Sequence, residues 1–434
     1  MSTLVKNALN TLRELSSPEE LRQLARTSSE LSQGLKVNAH IHLPPNFSAF
    51  DSVEQAVDLA AAEGLGVLGV SNYYDYEVYG DFVARAQMRG IFPMFGLEII
   101  ILDDRLLASG VKANDPGNPG KVYICGKGIT RFHTMSAEAE RLLGVIRKND
   151  SDRMATLVER LDTVLAERDF TLGIDEDAVV EGIIRRHGSP RETIYLQERH
   201  AAQAFQEGIF ERVEAGDRLT TLKEILGVES SASSPGDHVS VQNDLRAHLM
   251  KSGKPAFVEE TFVSLAEAKS LILELGGIPS YPTLADGATP IGRFEEPVEA
   301  LVENILNWNI HAAEFIPLRN APETLSAYVP AMREAGLAVT AGTEHNTLDL
   351  IPLEPRCVGG VRLPEEVEAI FWEGACVVAA HQFLTLHGEC GYVDEAGNPN
   401  PDFDDADARI RHFASLGSAL IRKYADETGK QDNG

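Results

Sequence analysis

The segment that most constrains the fold is KVNAHIHL, residues 36–43, a short apolar run that carries two histidines. Side chains two residues apart point to the same face of a β-strand, so His40 and His42 can reach one metal ion. A capping box that begins at Ser52 predicts a helix after this strand, and an apolar segment over 66–70 predicts the next strand. The sequence therefore predicts a strand–helix–strand unit with both imidazoles at one sheet edge. The alternative is a pair of structural histidines without a metal.

The same order of helix, glycine and strand recurs along the chain. The further predicted units are 81–90 before 92–101, 264–277 before 278, and 323–336 before 337–341. This order predicts an α/β fold with a parallel sheet, and parallel α/β barrels place catalytic groups at the carboxyl ends of their strands. Between Thr134 and Ala247 charged helical segments replace the repeat, which indicates a helical insertion or a separate helical domain. Strand units resume after Ala247, which favours an insertion.

These patterns divide the chain into five parts. The predicted parts are an N-terminal amphipathic helix (1–35), a first barrel part (36–133), a helical insertion (134–247), a second barrel part (248–400), and a C-terminal helix with an acidic tail (401–434). The N-terminal helix is suited to packing on the barrel or on a partner subunit, so a homo-oligomer is an open alternative.

Composition limits the compartments and the classes of partner that we expect for the chain. Of its 434 residues 43% are hydrophobic, and the sequence shows no apolar stretch long enough to suggest a membrane span and no apolar signal core near its start. Its four cysteines lie far apart without a C-x-x-C pair, as expected for reduced thiols in the cytoplasm. The net charge of −27 opposes contact with nucleic acid. We therefore expect a cytoplasmic enzyme with a small-molecule substrate.

Several motifs in order resemble the polymerase and histidinol phosphatase (PHP) superfamily of metal-dependent phosphoesterases, over roughly residues 36 to 360. NAHIHL is similar to the family's opening D-x-H-x-H-[ST], and the following segment leads to Glu98, where the family has a metal-bridging glutamate. ILELGGIPSYPTLAD is similar to G-G-x-x-x-x-A-H-P, HAAEF to G-[IV]-E-V, and AGTEHN to G-S-D-x-H. In the insertion QERHAAQAFQEGI resembles R-x-H-[IL]-A-x-A-[LM]. The resemblance implies a distorted, seven-stranded (β/α)7 TIM-like barrel with a helical insertion.

The chain departs from the family at most of its metal ligands. Tyrosines, Tyr73, Tyr123 and Tyr281, stand where the family has ligand histidines, and the closing D-x-H begins with Glu344. The ligands of one metal survive as a set. The resemblance therefore implies one divalent ion, Zn, Mn or Fe, on four side chains: His40, His42, Glu98 and Glu344.

Residue type and the resemblance also predict catalytic and substrate-binding side chains. The predicted catalytic groups are His345, Tyr73, Tyr281 and Arg319, and the predicted substrate-binding groups are Arg199, His200 and Tyr123. Lys127 and Arg131 are further candidate anion-binding residues. For the tyrosines the alternative is that an aromatic ring fills the space of an absent metal. If Glu344 does not reach the ion, His345 is the alternative fourth ligand.

Three functions remain open from the sequence. The first is a single-metal hydrolase of the PHP type, which would act on a small anionic substrate such as a phosphate ester. The second is a single-metal isomerase or lyase for a substrate that resembles a sugar acid, with tyrosines and His345 moving protons. The third is a catalytically inactive PHP-like binding module, which the loss of family histidines would explain.

Overall fold

A computed structural model describes residues 3–27 and 34–428, and within them a seven-stranded sheet follows the order of the chain. The strands are β1 (Lys36–Ile41), β2 (Leu65–Val70), β3 (Phe92–Leu102), β4 (Lys121–Lys127), β5 (Ile278–Thr283), β6 (Ala312–Phe315) and β7 (Ala338–Ala341). The last strand returns to the first, because Ile41 bridges Glu344 in parallel and the backbone N–H of His42 donates to the Glu344 carbonyl over 2.9 Å. The sheet is thus a nearly closed barrel, and the predicted fold class is confirmed.

One strand runs against the predicted parallel direction. β4 is antiparallel to both β3 and β5, whereas the pairs β1–β2, β2–β3, β5–β6 and β6–β7 are parallel. A parallel crossover normally needs a full helix, but the connection from β3 to β4 contains only the five-residue helix Asp104–Ala108. The expectation of an all-parallel sheet was therefore wrong at this strand, and the barrel is distorted there.

Helices cover the outside of the barrel, form most of the segment between β4 and β5, and begin and end the described part of the chain. They are α1 (Thr3–Glu14), α2 (Pro18–Thr27), α3 (Val53–Ala62), α4 (Tyr79–Met88), α5 (Asp104–Ala108), α6 (Ala137–Ala166), α7 (Glu176–His187), α8 (Glu198–Arg212), α9 (Arg218–Leu226), α10 (His238–Leu245), α11 (Leu265–Glu274), α12 (Val298–Asn307), α13 (Pro322–Glu334), α14 (Glu365–Leu386) and α15 (Ala406–Thr428). The Ser52 side chain caps α3 by accepting from the Gln55 N–H over 3.2 Å, so the predicted cap is confirmed.

The N-terminal segment forms two helices where the sequence predicted one. Ser17 and Glu20 form reciprocal side-chain to backbone hydrogen bonds of 3.2 and 3.0 Å, and this capping box starts α2 at Pro18. α1 packs against α4 and α14 on the outside of the barrel. Parts of the predicted N-terminal helix (1–2 and 28–33) and the end of the predicted acidic tail (429–434) lie outside the described residues.

The segment between β4 and α11 is helical and has a hydrophobic core of its own. α6 is 30 residues long, about 45 Å, and it connects the two cores. Its first half, with Leu142 and Ile146, packs into the barrel core, whereas Leu157 and Leu161 in its second half belong to the core of the inserted helices. Because α6 belongs to both cores, the inserted helices are anchored beside the barrel.

Within the described part of the chain one helix, Glu365–Leu386, has the length and apolar character of a membrane span. The expectation that no apolar stretch reaches this length was therefore wrong for this segment. In the structure 72% of its apolar window is buried, and the helix packs against α15 and β7. Gly374 and Gly417 permit this packing, since a Cβ at either would lie within 2 Å of a backbone oxygen of Val339 or Cys376. It is a core helix of this fold.

Candidate active site

Three predicted metal ligands converge inside the barrel. The Nε2 atoms of His40 and His42 lie 3.4 Å apart, and they lie 3.3 and 3.4 Å from Oε2 of Glu98. All three side chains are buried. Atoms bound at about 2.0–2.1 Å to a tetrahedral ion are separated by about 3.3–3.4 Å. The three donor atoms therefore fit the ligand face of one divalent ion.

Backbone packing fixes the position of the first histidine. His40 lies near the end of β1, where its carbonyl accepts from the N–H groups of Thr343 and Glu344 over 3.0 and 2.9 Å. The chain after β7 passes so close that a Cβ on Gly342 would lie 2.3 Å from the Cβ of His40. A glycine at this position lets the closing segment approach β1, which holds the first histidine in a fixed place.

A buried carboxylate orients the same imidazole from behind. Nδ1 of His40 lies 2.6 Å from Oε1 of Glu314, and Oε2 of Glu314 lies 2.5 Å from Nζ of Lys127. Burial raises the pKa of Glu314, but Lys127 and His40 together outweigh burial and lower it to about 2. The ionised carboxylate accepts the Nδ1 proton, which leaves Nε2 as the ring nitrogen that faces Glu98 and His42.

Cys125 lies beside this pair, and together with His40 and Glu314 it forms a second group of metal-ligand types within 4.8 Å. The Lys127 ammonium already supplies a cation to this group. It also donates to the Ala39 carbonyl and to Ser71 Oγ over 3.2 and 3.4 Å. We therefore interpret the second group as a hydrogen-bonded support for His40 rather than as a second ion site.

The other oxygen of Glu98 is occupied by a tyrosine. The Tyr73 hydroxyl donates to Oε1 of Glu98 over 2.6 Å, and its ring stacks on His42 with centroids 5.3 Å apart. Burial opposes the charge on Glu98, but hydrogen bonds from both histidines outweigh burial and lower its pKa. Burial and then the Glu98 charge raise the pKa of Tyr73 well above its ordinary value, so the phenol stays protonated.

Glu344 lines the same cavity but is held by other partners. Its carboxylate forms a two-pronged ion pair with Arg319, with one N···O distance of 3.1 Å, and accepts from Asn346 over 2.6 Å. The backbone of Glu344 and of His345 is left-handed, with φ of 58° and 54°. The structure therefore brings together the histidine pair and Glu98, and leaves Glu344 beside them. Its role as fourth ligand stays a prediction.

These groups open into a cavity of 620 Å³ between the barrel and the inserted helices. This volume lies in the range of about 300–1,000 Å³ that is typical of small-molecule sites. The predicted residues that line it are His42, Tyr73, Glu98, Tyr123, Arg199, Arg319 and Glu344. Burial, more than any other factor, raises the pKa of Tyr123 to about 12, so this phenol is also protonated near neutral pH.

Three other predicted site residues have partners elsewhere and do not line the cavity. The ring nitrogens of His345 lie 2.8 Å from Thr343 Oγ1 and 2.9 Å from the Ile351 carbonyl. The Tyr281 hydroxyl donates to Glu295 over 2.7 Å in the core. His200 Nδ1 accepts from the Gln197 N–H over 3.1 Å and helps to cap α8. Their catalytic and substrate-binding roles stay predictions without a contact that supports them.

The two further candidate anion-binding residues also lie away from the cavity. Lys127 is buried against Glu314, and Arg131 pairs with Glu395 over 3.6 Å at the surface. Sequence reasoning missed the role of Glu314, although the resemblance included the motif HAAEF that contains it. It also missed Arg246, which lines the cavity from the insertion and has no motif around it.

No family model and no curated protein matches the chain. Among solved structures, a protein assigned as a metal-dependent phosphoesterase from Bifidobacterium adolescentis matches with a TM-score of 0.50 and 14% identity, over 77% of this chain and 94% of its own. An amidohydrolase from Chromobacterium violaceum, with bound sulfate and no metal, matches with a TM-score of 0.49 and 17% identity, over 77% and 96%. At this identity the likeness shows the fold alone, so this chain has a barrel fold that a metal-dependent hydrolase also uses.

Proposed function

We propose that the protein is a hydrolase that uses one divalent metal ion and acts on a small anionic substrate such as a phosphate ester. The observation that carries the proposal is the triangle of donor atoms on His40, His42 and Glu98, with edges of 3.3–3.4 Å. The proposal includes Glu344 as a further ligand, because its carboxylate lines the same cavity. The ligand types suit Zn, Mn or Fe(II).

Bound there, a divalent ion would lower the pKa of a water molecule to about 7 and polarise a substrate oxygen. The protein's own groups do the remaining work. Glu314 fixes a proton of His40 on Nδ1, and the Tyr73 hydroxyl holds Glu98 by donating to the Oε1 atom of Glu98. With Oε1 engaged by Tyr73, only Oε2 of Glu98 faces the histidine pair, which supports one ion rather than two. Tyr123, protonated in the cavity wall, is a candidate hydrogen-bond donor to substrate.

Metal content per chain tests the proposal. We would compare wild type with a His40→Ala, His42→Ala double variant by elemental analysis after dialysis. A His238→Ala, His248→Ala double variant is the matched control, since it removes two histidines from the inserted helices. We expect about one ion per chain in wild type and control and almost none in the site variant. Two or more ions in wild type would overturn the single-metal part, and no ion would overturn the proposal.

Turnover then separates hydrolysis from the alternatives. Phosphate esters would be incubated with metal-loaded protein in water enriched in oxygen-18, and the released phosphate would be examined for label. Hydrolysis predicts label in the product and loss of turnover after chelation. Turnover of a sugar acid without label would favour an isomerase or lyase, and tight binding without turnover would favour a binding module.

A further inference from the structure

Not every cation in the wall of the cavity has a close carboxylate partner. Among the described residues the basic side chains that line it are Lys121, Arg153, Arg199, Arg246, Lys251 and Arg319. Most of them have a close carboxylate partner, such as Glu260 for Lys121 at 2.9 Å. The side chain of Arg199 has no hydrogen bond or ion pair with any residue in the described ranges, although it lies in the wall beside Glu344 and Arg319. One guanidinium therefore faces the cavity without a counterion.

A second guanidinium is only weakly paired. Glu198 serves three cations at once, with N···O distances of 2.8 Å to Arg153, 2.5 Å to Lys251 and 3.6 Å to Arg246. Arg246 is the most distant of them, and its buried Nε has no partner in the described part of the chain. It begins the π-helical turn Arg246–Met250, a type of turn that is frequent at functional sites. Arg153 also pairs with Asp150 and Glu260 at 3.6 Å, so Glu198 chiefly serves Lys251 and Arg246, and Arg246 is the more distant of these two.

The two guanidinium groups are close enough to repel one another. Burial and then the charge of Arg246 lower the pKa of Arg199 to about 9. Both arginines are partly buried, and a partly buried charge without a counterion is unfavourable, whereas a bound oxyanion would compensate it. Guanidinium groups form paired hydrogen bonds with carboxylate and phosphate oxygens, so the missing partner is expected to be such an oxyanion.

We propose that Arg199 and Arg246 form an oxyanion subsite, through which the inserted helices hold a phosphate or carboxylate group of the substrate. That the bound group belongs to the substrate rests on the function proposed above, but the subsite itself does not need the metal ion. In this proposal the barrel supplies the metal ligands His40, His42 and Glu98, and the inserted helices supply the residues that bind the anion.

Anion binding to metal-free protein tests the subsite. After treatment with EDTA and dialysis, inorganic phosphate and malonate would be titrated calorimetrically into wild type, Arg199→Gln and Arg246→Gln. Arg185→Gln is the matched control, because Arg185 is an exposed arginine of the same insertion. We expect wild type and control to bind at least one of the two anions, and each site variant to bind it at least tenfold more weakly. Binding of phosphate alone or malonate alone would identify the preferred group.

Unchanged affinity in both site variants, or no binding of either anion by wild type, would overturn the proposal. Stability gives an independent readout: in buffer without oxyanions Arg199→Gln should be at least as stable to urea as wild type, since it removes an uncompensated charge. A clear loss of stability would instead mean that Arg199 is structural. Because the titration is done without metal, its failure is distinguishable from failure of the metal-dependent function, which elemental analysis measures separately.

Discussion

Replacement of Glu314 by glutamine should weaken both the fold and the metal site, by separate mechanisms. The Glu314 carboxylate is fully buried and contacts Nδ1 of His40 at 2.6 Å and Nζ of Lys127 at 2.5 Å. Glu314→Gln leaves the Lys127 ammonium buried without its counterion, which costs about 3–5 kcal/mol of unfolding free energy. It also removes the charged acceptor of the His40 proton, and loss of such a partner typically lowers metal affinity about 10–100-fold.

A double variant separates the two effects. Glu314→Gln with Lys127→Met removes both charges, and neutral replacements of buried ion pairs are often tolerated. We expect the double variant to regain most of the lost unfolding free energy in urea, yet to keep the 10–100-fold weaker metal affinity in calorimetric titration with Zn²⁺. If the single variant does not fold, the double variant still tests the second mechanism.

Glu295→Gln is the control for the loss of a buried carboxylate outside the site. Glu295 accepts from the Tyr281 hydroxyl over 2.7 Å and from backbone N–H groups after β5. Its variant should lose stability but bind metal as wild type does. The reasoning on Glu314 would be refuted if the Glu314→Gln, Lys127→Met protein bound Zn²⁺ as tightly as wild type, because the carboxylate would then have no role in orienting His40.

Three further predictions concern other parts of the same site. Tyr281→Phe should destabilise the fold by about 1–3 kcal/mol in urea, because a buried carboxylate loses its hydrogen bond, while metal content and turnover stay as in wild type; lost turnover would restore its predicted catalytic role. Gly342→Ala should lower metal affinity, since the new Cβ would lie 2.3 Å from His40 Cβ, whereas Gly144→Ala, with no neighbour within 4 Å, should leave it unchanged. The folded-state pKa of Glu314 is about 2, below the ordinary glutamate value of about 4.3, so its contribution to unfolding free energy is present above pH 4.3 and lost as pH falls towards 2. Urea denaturation at several pH values should show this slope in wild type and a smaller one in Glu314→Gln.

Local patterns in the sequence were enough to predict much of the barrel. The spacing of His40 and His42, the cap at Ser52 and the glycines between helices and strands are signals that neighbouring residues carry. Each of these signals depends on strand or helix geometry over a few residues, so it can be recognised without knowledge of the rest of the fold. The prediction that His40, His42 and Glu98 share one metal ion followed from the order of the motifs that resemble the family. The structure places their donor atoms together.

Tertiary structure alone decided which distant groups meet. His40 and Glu314 are 274 residues apart in the chain, and their contact depends on how β1, β6 and β7 pack inside the closed barrel. The pairing of Glu344 with Arg319 depends likewise on the left-handed turn after β7. Burial also determined the partners of charged groups. The sequence suggested Lys127 as an anion-binding residue, but in the core it is the counterion of Glu314, because a buried charge must have a partner.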